Sequence, residues 1–478
     1  MSVLEWTRRR LHLAEAPRPI DALREGGARG VSGLPIAWED GVRTFYDQLH
    51  ELQTACVGTA CASARHALSG NGGSAETPGI HCLGRCYEAP ASILTRARPI
   101  PRCSLAPTPV VLRHVLGPTR PLDDYGLPDG ETILARLEAS GLRGRGGAAY
   151  PTAAKWRVAA RTEAPDRFVV ANGDEGDPGS YVDRLLLEEA PHSVLAGMLA
   201  CARAIGASRG IVFVRGEYPE AAKRVSVAIE EATATGALDG FAVSVLVGAG
   251  SYVAGEETAL LRSIEGLRAE PSPKPPFPAE RGLYGLPTVV QNIETLSVVP
   301  AIVRAETPAG QTGARSEGRA KAVCVSGAVV SPGVVEIELG TPLRDVLVAG
   351  AGGAPAGRSW KMALVGGPMG RVVAAHEFDV ALSYDALPGM GHGGIVVFDE
   401  TVRIRRLAEH LFAFAASESC GACTPCRVGT AKLKEMPTLA DLERLMETLE
   451  MGSMCGFGQG APRPIRDLVR LYGSEVLA

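Results

Sequence analysis

No run of about 18 apolar residues occurs in this 478-residue chain, so nothing in it reads as a bilayer-spanning helix. The N-terminus, Met1-Ser-Val-Leu-Glu-Trp-Thr-Arg-Arg-Arg, meets charge within five residues and lacks the apolar core of a secretory signal. A cytoplasmic protein is expected. An excess of positive charge is also missing: 49 Lys and Arg stand against 53 Asp and Glu, a net charge of −4, and no basic cluster makes a local patch. Such a chain has no field for holding nucleic acid. No repeat or low-complexity tract long enough to matter is present, and the glycine run at 141–147 is not a G-x-G-x-x-G fingerprint.

What is present is an ordinary globular balance, 46% apolar and 21% charged, with 57 glycines and 34 prolines. A single core stops growing at about 250–300 residues, so at least three domains are expected. The first, residues 1–105, holds four cysteines between candidate helices and a closing strand at Ala91-Ser-Ile-Leu94, and a Pro-rich joint at 99–109 follows. Residues 106–310 alternate strands, such as Phe168-Val-Val-Ala171 and Gly210-Ile-Val-Phe-Val214, with amphipathic helices such as 192–205, an α/β signature. A polar, Gly-rich linker is expected at 310–319. Short strands at Ala322-Val-Cys-Val-Ser-Gly327, Val334-Val-Glu-Ile-Glu-Leu339, Met362-Ala-Leu-Val365 and Gly394-Ile-Val-Val-Phe398, around a helix near Thr341, suggest a small β-grasp domain over 320–398. The tail, 399–478, reads as helical. Leu439, Leu442, Leu445, Met446 and Leu449 share one helix face there, and Thr438 with Asp441 resembles a capping box.

Eleven cysteines in a reducing compartment are not a disulfide framework, and eight of them fall into two tight sets. The tail has Cys420-Gly-Ala-Cys423-Thr-Pro-Cys426, then Cys455 after 28 residues. Two successive C-x₂-C steps put three thiolates on one loop, and a fourth from beyond a helix completes the set a [4Fe–4S] cube needs. A Cys₄ zinc site uses the same donors and stays open on spacing alone. Near the N-terminus, Cys56, Cys61, Cys82 and Cys86 form C-x₄-C and C-x₃-C pairs suited to a [2Fe–2S] rhomb, with zinc or a relict domain as the plainer alternatives. Cys103, Cys201 and Cys324 are isolated and read as core residues.

Three glycine-rich loops follow strands or precede helices. Gly141-Leu-Arg-Gly144-Arg145-Gly146-Gly147-Ala-Ala-Tyr150 runs towards Lys155, a place where backbone N–H groups and a cation can meet an anion. Gly248-Ala-Gly-Ser-Tyr252-Val-Ala-Gly255-Glu256-Glu257 joins glycines to two carboxylates; these read either as a helix start favoured by the dipole or as partners for ribose hydroxyls. Asn172-Gly-Asp174-Glu175-Gly-Asp177-Pro-Gly is built of turn formers. Together, three such loops at strand ends in one α/β domain point to a ligand site.

These motifs, with Lys274-Pro-Pro-Phe277-Pro-Ala, Gly282-Leu-Tyr-Gly and Glu418-Ser-Cys-Gly-Ala-Cys-Thr-Pro-Cys-Arg, resemble in order the signatures of the NADH-binding flavoprotein subunit of respiratory complex I. Its relatives include the diaphorase subunits of soluble formate dehydrogenases and hydrogenases. The resemblance covers about residues 110–478. It implies a multidomain α/β protein: a Rossmann-like FMN and NADH domain, a β-grasp domain and a C-terminal helical bundle with a [4Fe–4S] cluster. The N-terminal cysteines resemble a thioredoxin-like [2Fe–2S] protein, here abbreviated.

FMN is then expected at Gly144, Arg145, Gly146, Lys155, Asn172, Asp174, Tyr252, Gly255, Glu256, Asn292 and Thr295. NAD(H) is expected at Gly147, Tyr150, Asp177, Glu257, Lys274 and Phe277, with Glu257 and Asp177 positioning the nicotinamide. The family often has Phe, Glu and Asn where Tyr150, Asp177 and Gln291 stand. Asp177 and the short Cys426–Cys455 interval lean towards the soluble branch. The cofactors carry the chemistry, and no side chain is needed as acid, base or nucleophile. Iron–sulfur and catalytic partner subunits are implied, a molybdenum or tungsten formate dehydrogenase before a hydrogenase or a quinone reductase. The rival from another class is an electron relay or zinc-organised scaffold that has lost nucleotide binding, against which the retained Lys155, Glu256, Glu257 and Lys274 argue.

Overall fold

The computed structural model describes Val42, Phe45 and residues 55–65, 68–69, 81–92, 94, 96–304, 318–435 and 438–477. The extreme N-terminus and most of the expected linker at 310–319 lie outside them. Helix α1 (Thr59–Ala64) sits just beyond the first cysteine and carries the second, Cys61. Of the expected strand at Ala91–Leu94, the described residues make one isolated bridge, Ala55 with Ser92, and Ile93 lies outside them. The Pro-rich joint instead contains a strand, β1 (Arg102–Ser104).

The α/β region follows the pattern of its apolar runs. Helices α2 (Gly130–Ser140) and α3 (Thr152–Arg161) lead into β2 (Phe168–Gly173), whose Phe-Val-Val-Ala stretch is buried throughout, as a central parallel strand requires. Then come α4 (Val182–Glu189), α5 (Pro191–Ile205), β3 (Arg209–Val214), α6 (Pro219–Ala234), β4 (Ala242–Val247), α7 (Glu257–Ile264), β5 (Thr288–Asn292) and α8 (Ile293–Arg304). The sheet is parallel with order β4-β3-β2-β5. The direction in which strands are added reverses between β2 and β5, and a crevice opens at the carboxyl ends of such a pair. Asn172 and Asn292 are register partners there. Behind the sheet α5 crosses α8 so closely that a Cβ on Gly197 would lie 2.0 Å from the Leu296 carbonyl oxygen, which no larger residue permits.

Among the described residues no single helix is long and apolar enough to cross a membrane. The pair α4 and α5, bent by 98°, meets that length and composition only jointly, and α5 is almost wholly core.

The second sheet is mixed. Strands β6 (Ala320–Gly327), β7 (Gly333–Glu338), β8 (Trp360–Val365), β9 (Arg371–Ala374) and β10 (Gly394–Asp399) take the order β1-β7-β6-β10-β8-β9. The edge strand β1 pairs parallel with β7, Arg102 opposite Val334. The expected helix near Thr341 is a short turn, Leu343–Asp345, running into a wider one, Val346–Gly350.

Helices α9 (Ile404–Ser417), α10 (Thr424–Lys434), α11 (Leu439–Gly452) and α12 (Pro462–Tyr472) complete the chain. Thr438 caps α11 by accepting the Asp441 N–H. Leu442, Met446 and Leu449 form its buried face, while Leu439, expected with them, stays exposed at the first turn.

Candidate functional site

A cleft of about 820 Å³ opens at the carboxyl ends of β2 and β5. Its walls come from all three glycine loops, the 274–280 segment, the turns around Gly366 and Gly391, and Cys455 with Phe457. Local geometry explains the glycines. A Cβ on Gly255 would lie 2.9 Å from the Asp174 carbonyl oxygen, one on Gly176 2.9 Å from the Tyr252 ring, and Gly147 adopts a φ of +112°. Ala149 and Ser251 also hold positive φ, 51° and 110°, strain that gathers where backbone must face a ligand.

Of the residues expected at FMN and NAD(H), Gly144, Gly146, Gly147, Tyr150, Lys155, Asn172, Asp174, Asp177, Tyr252, Gly255, Glu256, Glu257, Lys274, Phe277 and Asn292 line this cleft. Two do not. The Arg145 guanidinium is buried and turned to the Gly318 carbonyl, while its backbone N–H donates to Thr295 Oγ1 at 2.8 Å; both brace the wall from behind. Arg145 therefore offers the cleft backbone and not charge.

Charge is arranged in two groups. Near the mouth, Lys274 Nζ reaches Glu256 Oε1 (2.7 Å) and Glu257 Oε1 (2.8 Å), and Lys155 Nζ reaches Glu257 Oε2 (3.0 Å). Burial opposes the Glu257 charge, but the two lysines outweigh it and hold the carboxyl below its ordinary value. Glu256 also caps α7, accepting from Thr258 N–H (2.9 Å) and Ala259 N–H (3.0 Å), so the helix-start reading and the site reading are both true of it. Deeper in, Asp174 is pushed up to about 7 by burial, which Arg215 only partly offsets, and its Oδ2 has no hydrogen-bond partner. Asp177 accepts from the Tyr252 hydroxyl at 2.5 Å, and burial raises it too. Tyr150 and Phe277 stand 52% and 51% exposed, leaving ring faces free for stacking.

The tail cysteines converge beside this cleft. Cys423 occupies the N-cap position of α10, Cys426 lies in its first turn, and Cys455 precedes the short helix Gly456–Gly460. Burial, then the nearby Cys423, Cys455 and Cys420, pushes Cys426 up to about 12, a crowding of thiols that a bound cluster relieves. Cys455 borders the cleft directly, and the Phe457 ring lies 5.5 Å from that of Tyr252.

The N-terminal cysteines also meet. Cys82 and Cys86 sulfurs are 3.8 Å apart, and Cys56 is pushed up to about 12 by its contact with Cys61 and by burial. Backbone N–H groups of Gly84 and Ala91 point at Cys82 and Cys61 sulfurs. Arg215 fastens this set to the cleft, donating to the Cys82 carbonyl at 3.2 Å and to the Glu175 carbonyl.

Sequence reasoning missed the trio Glu175, Asp183 and His392, which the fold gathers at the cleft floor, and Arg463 at its rim. Only the glycine run around His392, just before β10, hinted at it.

An orphaned Asp174 oxygen, two lysines over a glycine cradle and four converging thiols fit a flavin nucleotide beside an iron–sulfur cube. The class is thus an FMN and iron–sulfur oxidoreductase of the NADH dehydrogenase (diaphorase) type. Family descriptions agree: residues 137–301 match the Nuo51 FMN-binding domain, 322–373 the SLBB domain, and 406–478 the NADH-ubiquinone oxidoreductase-F iron-sulfur binding region. The chain is 41% identical over 368 residues to HndC, a subunit of the NADP-reducing hydrogenase of Solidesulfovibrio fructosivorans, covering 72% of this chain and 75% of that one. It is 38% identical over 373 residues to the second F-type subunit of the NADH-quinone oxidoreductase of Rhizobium meliloti, covering 73% and 88%. A crystal structure of an NAD⁺-reducing [NiFe]-hydrogenase in the H₂-reduced state superposes with a TM-score of 0.81 at 30% identity, covering 98% of this chain and 92% of that one. The chain belongs to the family of F-type subunits of NADH-quinone oxidoreductase.

Proposed function

We propose that this chain passes a hydride between NAD(H) and FMN in the β2–β5 cleft and relays electrons through a [4Fe–4S] cluster at Cys420, Cys423, Cys426 and Cys455. The observation that carries the reading is the meeting, in one cleft, of the glycine cradle, the Lys–Glu network and Cys455. FMN, when bound, supplies the conversion of a two-electron hydride into single electrons. The protein's part is binding and orientation. Gly144, Gly146 and Gly147 let backbone approach a flat ring and a phosphate, with Lys155 near by. Asp174, held partly neutral near pH 7, can donate as well as accept. Glu257 and Asp177 orient the nicotinamide, and Tyr150 and Phe277 offer faces to the adenine end.

A [2Fe–2S] cluster at Cys56, Cys61, Cys82 and Cys86, on an abbreviated thioredoxin-like segment within 1–105, belongs to the same proposal. Convergence of four buried free thiols supports it. The further proposed divisions are 106–310, 320–398 and 399–478. The partner is proposed to be the catalytic assembly of a soluble-branch enzyme oxidising formate or hydrogen. The likeness to the NAD⁺-reducing hydrogenase over 98% of this chain favours hydrogen, and Asp177 suits both.

The test is the anaerobic visible spectrum and metal content of the purified chain before and after NADH. One FMN, about six irons (four and two), no zinc, and bleaching by NADH are expected. Zinc in place of iron, or flavin that NADH leaves unreduced, sinks the reading.

A further inference from the structure

The cleft floor holds titratable groups to which hydride transfer gives no task. His392 stands between two carboxylates, Nε2 3.1 Å from Asp183 Oδ2 and Nδ1 3.4 Å from Glu175 Oε1. Glu175, Asp183 and His392 are only 3%, 1% and 6% exposed, yet all three border the cleft. The atoms around them are committed. Asn292 Nδ2 donates to Asp183 Oδ2 at 2.7 Å and lies 3.1 Å from His392 Nε2. Its Oδ1 is taken by the Thr295 N–H, which fixes the orientation of the amide. Asp183 Oδ1 accepts the Glu294 N–H, and Glu175 accepts the N–H groups of Asp183 and Arg184. A metal ion among the three would face the donor end of that amide, so the space between imidazole and carboxylates suits a proton better.

Other charges face the trio from each side. Lys321 on β6 opposes charge on His392 but is itself paired with Glu294 at the start of α8. The Tyr218 hydroxyl lies 3.5 Å from Glu175 Oε2, Arg215 holds the Glu175 carbonyl, and Tyr181, Cys86 and Cys324 sit within its field. Burial opposes charge on His392, but Asp183 and Glu175 outweigh it and push the imidazole up to about 9. Burial, then Asp183, pushes Glu175 up to about 7. Because His392 and Glu175 interact, their protons belong to the pair and not to either residue alone.

We propose that Glu175, His392 and Asp183 form a proton-loading site that takes up one solvent proton when hydride enters the cleft. The proposal rests on the FMN reading. In the balanced step the hydride passes with its electron pair from the nicotinamide to the bound flavin, NAD⁺ departs, and one proton from solvent binds the trio through the cleft. The added negative charge is thereby cancelled without a fixed cation. When the electrons leave singly through the iron–sulfur cluster, two protons return to solvent: the one held by the trio and the hydride's own hydrogen, left behind as H⁺.

The experiment is a potentiometric titration of the flavin in the holoenzyme at several pH values between about 7 and about 9. The slope against pH is expected to show up to one more proton per electron pair in the wild type than in His392→Gln or Glu175→Gln. Equal slopes, with flavin still bound, overturn the proposal. A second measurement needs no variant to fold. Infrared difference spectra of the wild-type holoenzyme on NADH addition should gain a protonated-carboxyl or ring-¹⁵N-sensitive imidazolium band. Absence of both overturns it, as does one stoichiometric non-iron metal per chain lost in His392→Gln. Flavin that NADH fails to bleach in the wild type strikes instead at the underlying reading.

Discussion

The two cysteine sets use the same chemistry in opposite settings. Cys56, Cys61, Cys82 and Cys86 are 1%, 0%, 0% and 2% exposed, sealed between α1, the Arg215 guanidinium and the second sheet. Cys420 and Cys426 are also buried, but Cys423 and Cys455 are half-buried, and the neighbouring chain carries exposed Val428, Met451 and Met454. A group that must hand electrons to another subunit needs an opening. The tail set has one, and Cys455 borders the cleft on its other side; among the described residues the N-terminal set is almost fully buried, with Cys86 at the wall of a small cavity of about 220 Å³. On the proposed reading, this difference favours the tail set as the exit and leaves the more buried set as a neighbour of the cleft.

The largest effect expected from breaking this comparison follows Cys455→Ser. Iron should fall by about four per chain, and electron delivery to the partner should drop to background, while NADH still bleaches the flavin. Iron analysis and anaerobic stopped-flow check this together. Cys82→Ser should remove about two irons yet leave flavin reduction and delivery through the tail nearly intact. Loss of delivery in that variant would reverse the assignment of exit.

A smaller effect is expected at the mouth. Lys274→Ala takes the cation from Glu256, leaves Glu257 to Lys155 alone and removes a positive charge from the nucleotide path, so KM for NADH should rise about tenfold, about 1.4 kcal/mol. Steady-state kinetics with an artificial acceptor would read it without the partner.

The smallest concerns the seal. His410 on α9 lies with Nε2 3.3 Å from Thr59 Oγ1 on α1, and burial, then His81, lowers it from 6.5 to about 4. A depressed folded pKa means the unfolded chain binds the extra proton. This contribution to stability is therefore full above 6.5 and is lost as pH falls towards 4. Melting curves across that window should show the decline, and His410→Gln should flatten it.

Much of this was legible from local pattern. Consecutive apolar residues marked β2 and β3 because interior parallel strands are buried on both faces, and glycine loops at strand ends marked the ligand edge. Cysteine spacing marked both thiol sets. What stayed hidden depends on long-range assembly. Asp183 and His392 lie 209 positions apart and meet only because β10 brings the second sheet against the cleft. The side-chain direction of Arg145 follows from a carbonyl at Gly318 that no local pattern announces. Among the described residues Ser92 makes only a bridge with Ala55, whereas Arg102–Ser104, in a Pro-rich context, finds β7.

That last pairing bears on how such a chain could be divided between genes. Pro101 and Leu105 bond the backbone of Val334 and Glu336, and the Glu336 carboxylate takes the N–H groups of Val110, Val111 and Leu112. A split that sent residues 101–112 away with the cysteine segment would strip an edge strand from one product and leave a buried carboxylate without its donors. A cut before Pro101 would spare these bonds, and the two daughter polypeptides would inherit unequal shares: a small thiol-bearing piece, and a large one that keeps this strap as its own N-terminal arm.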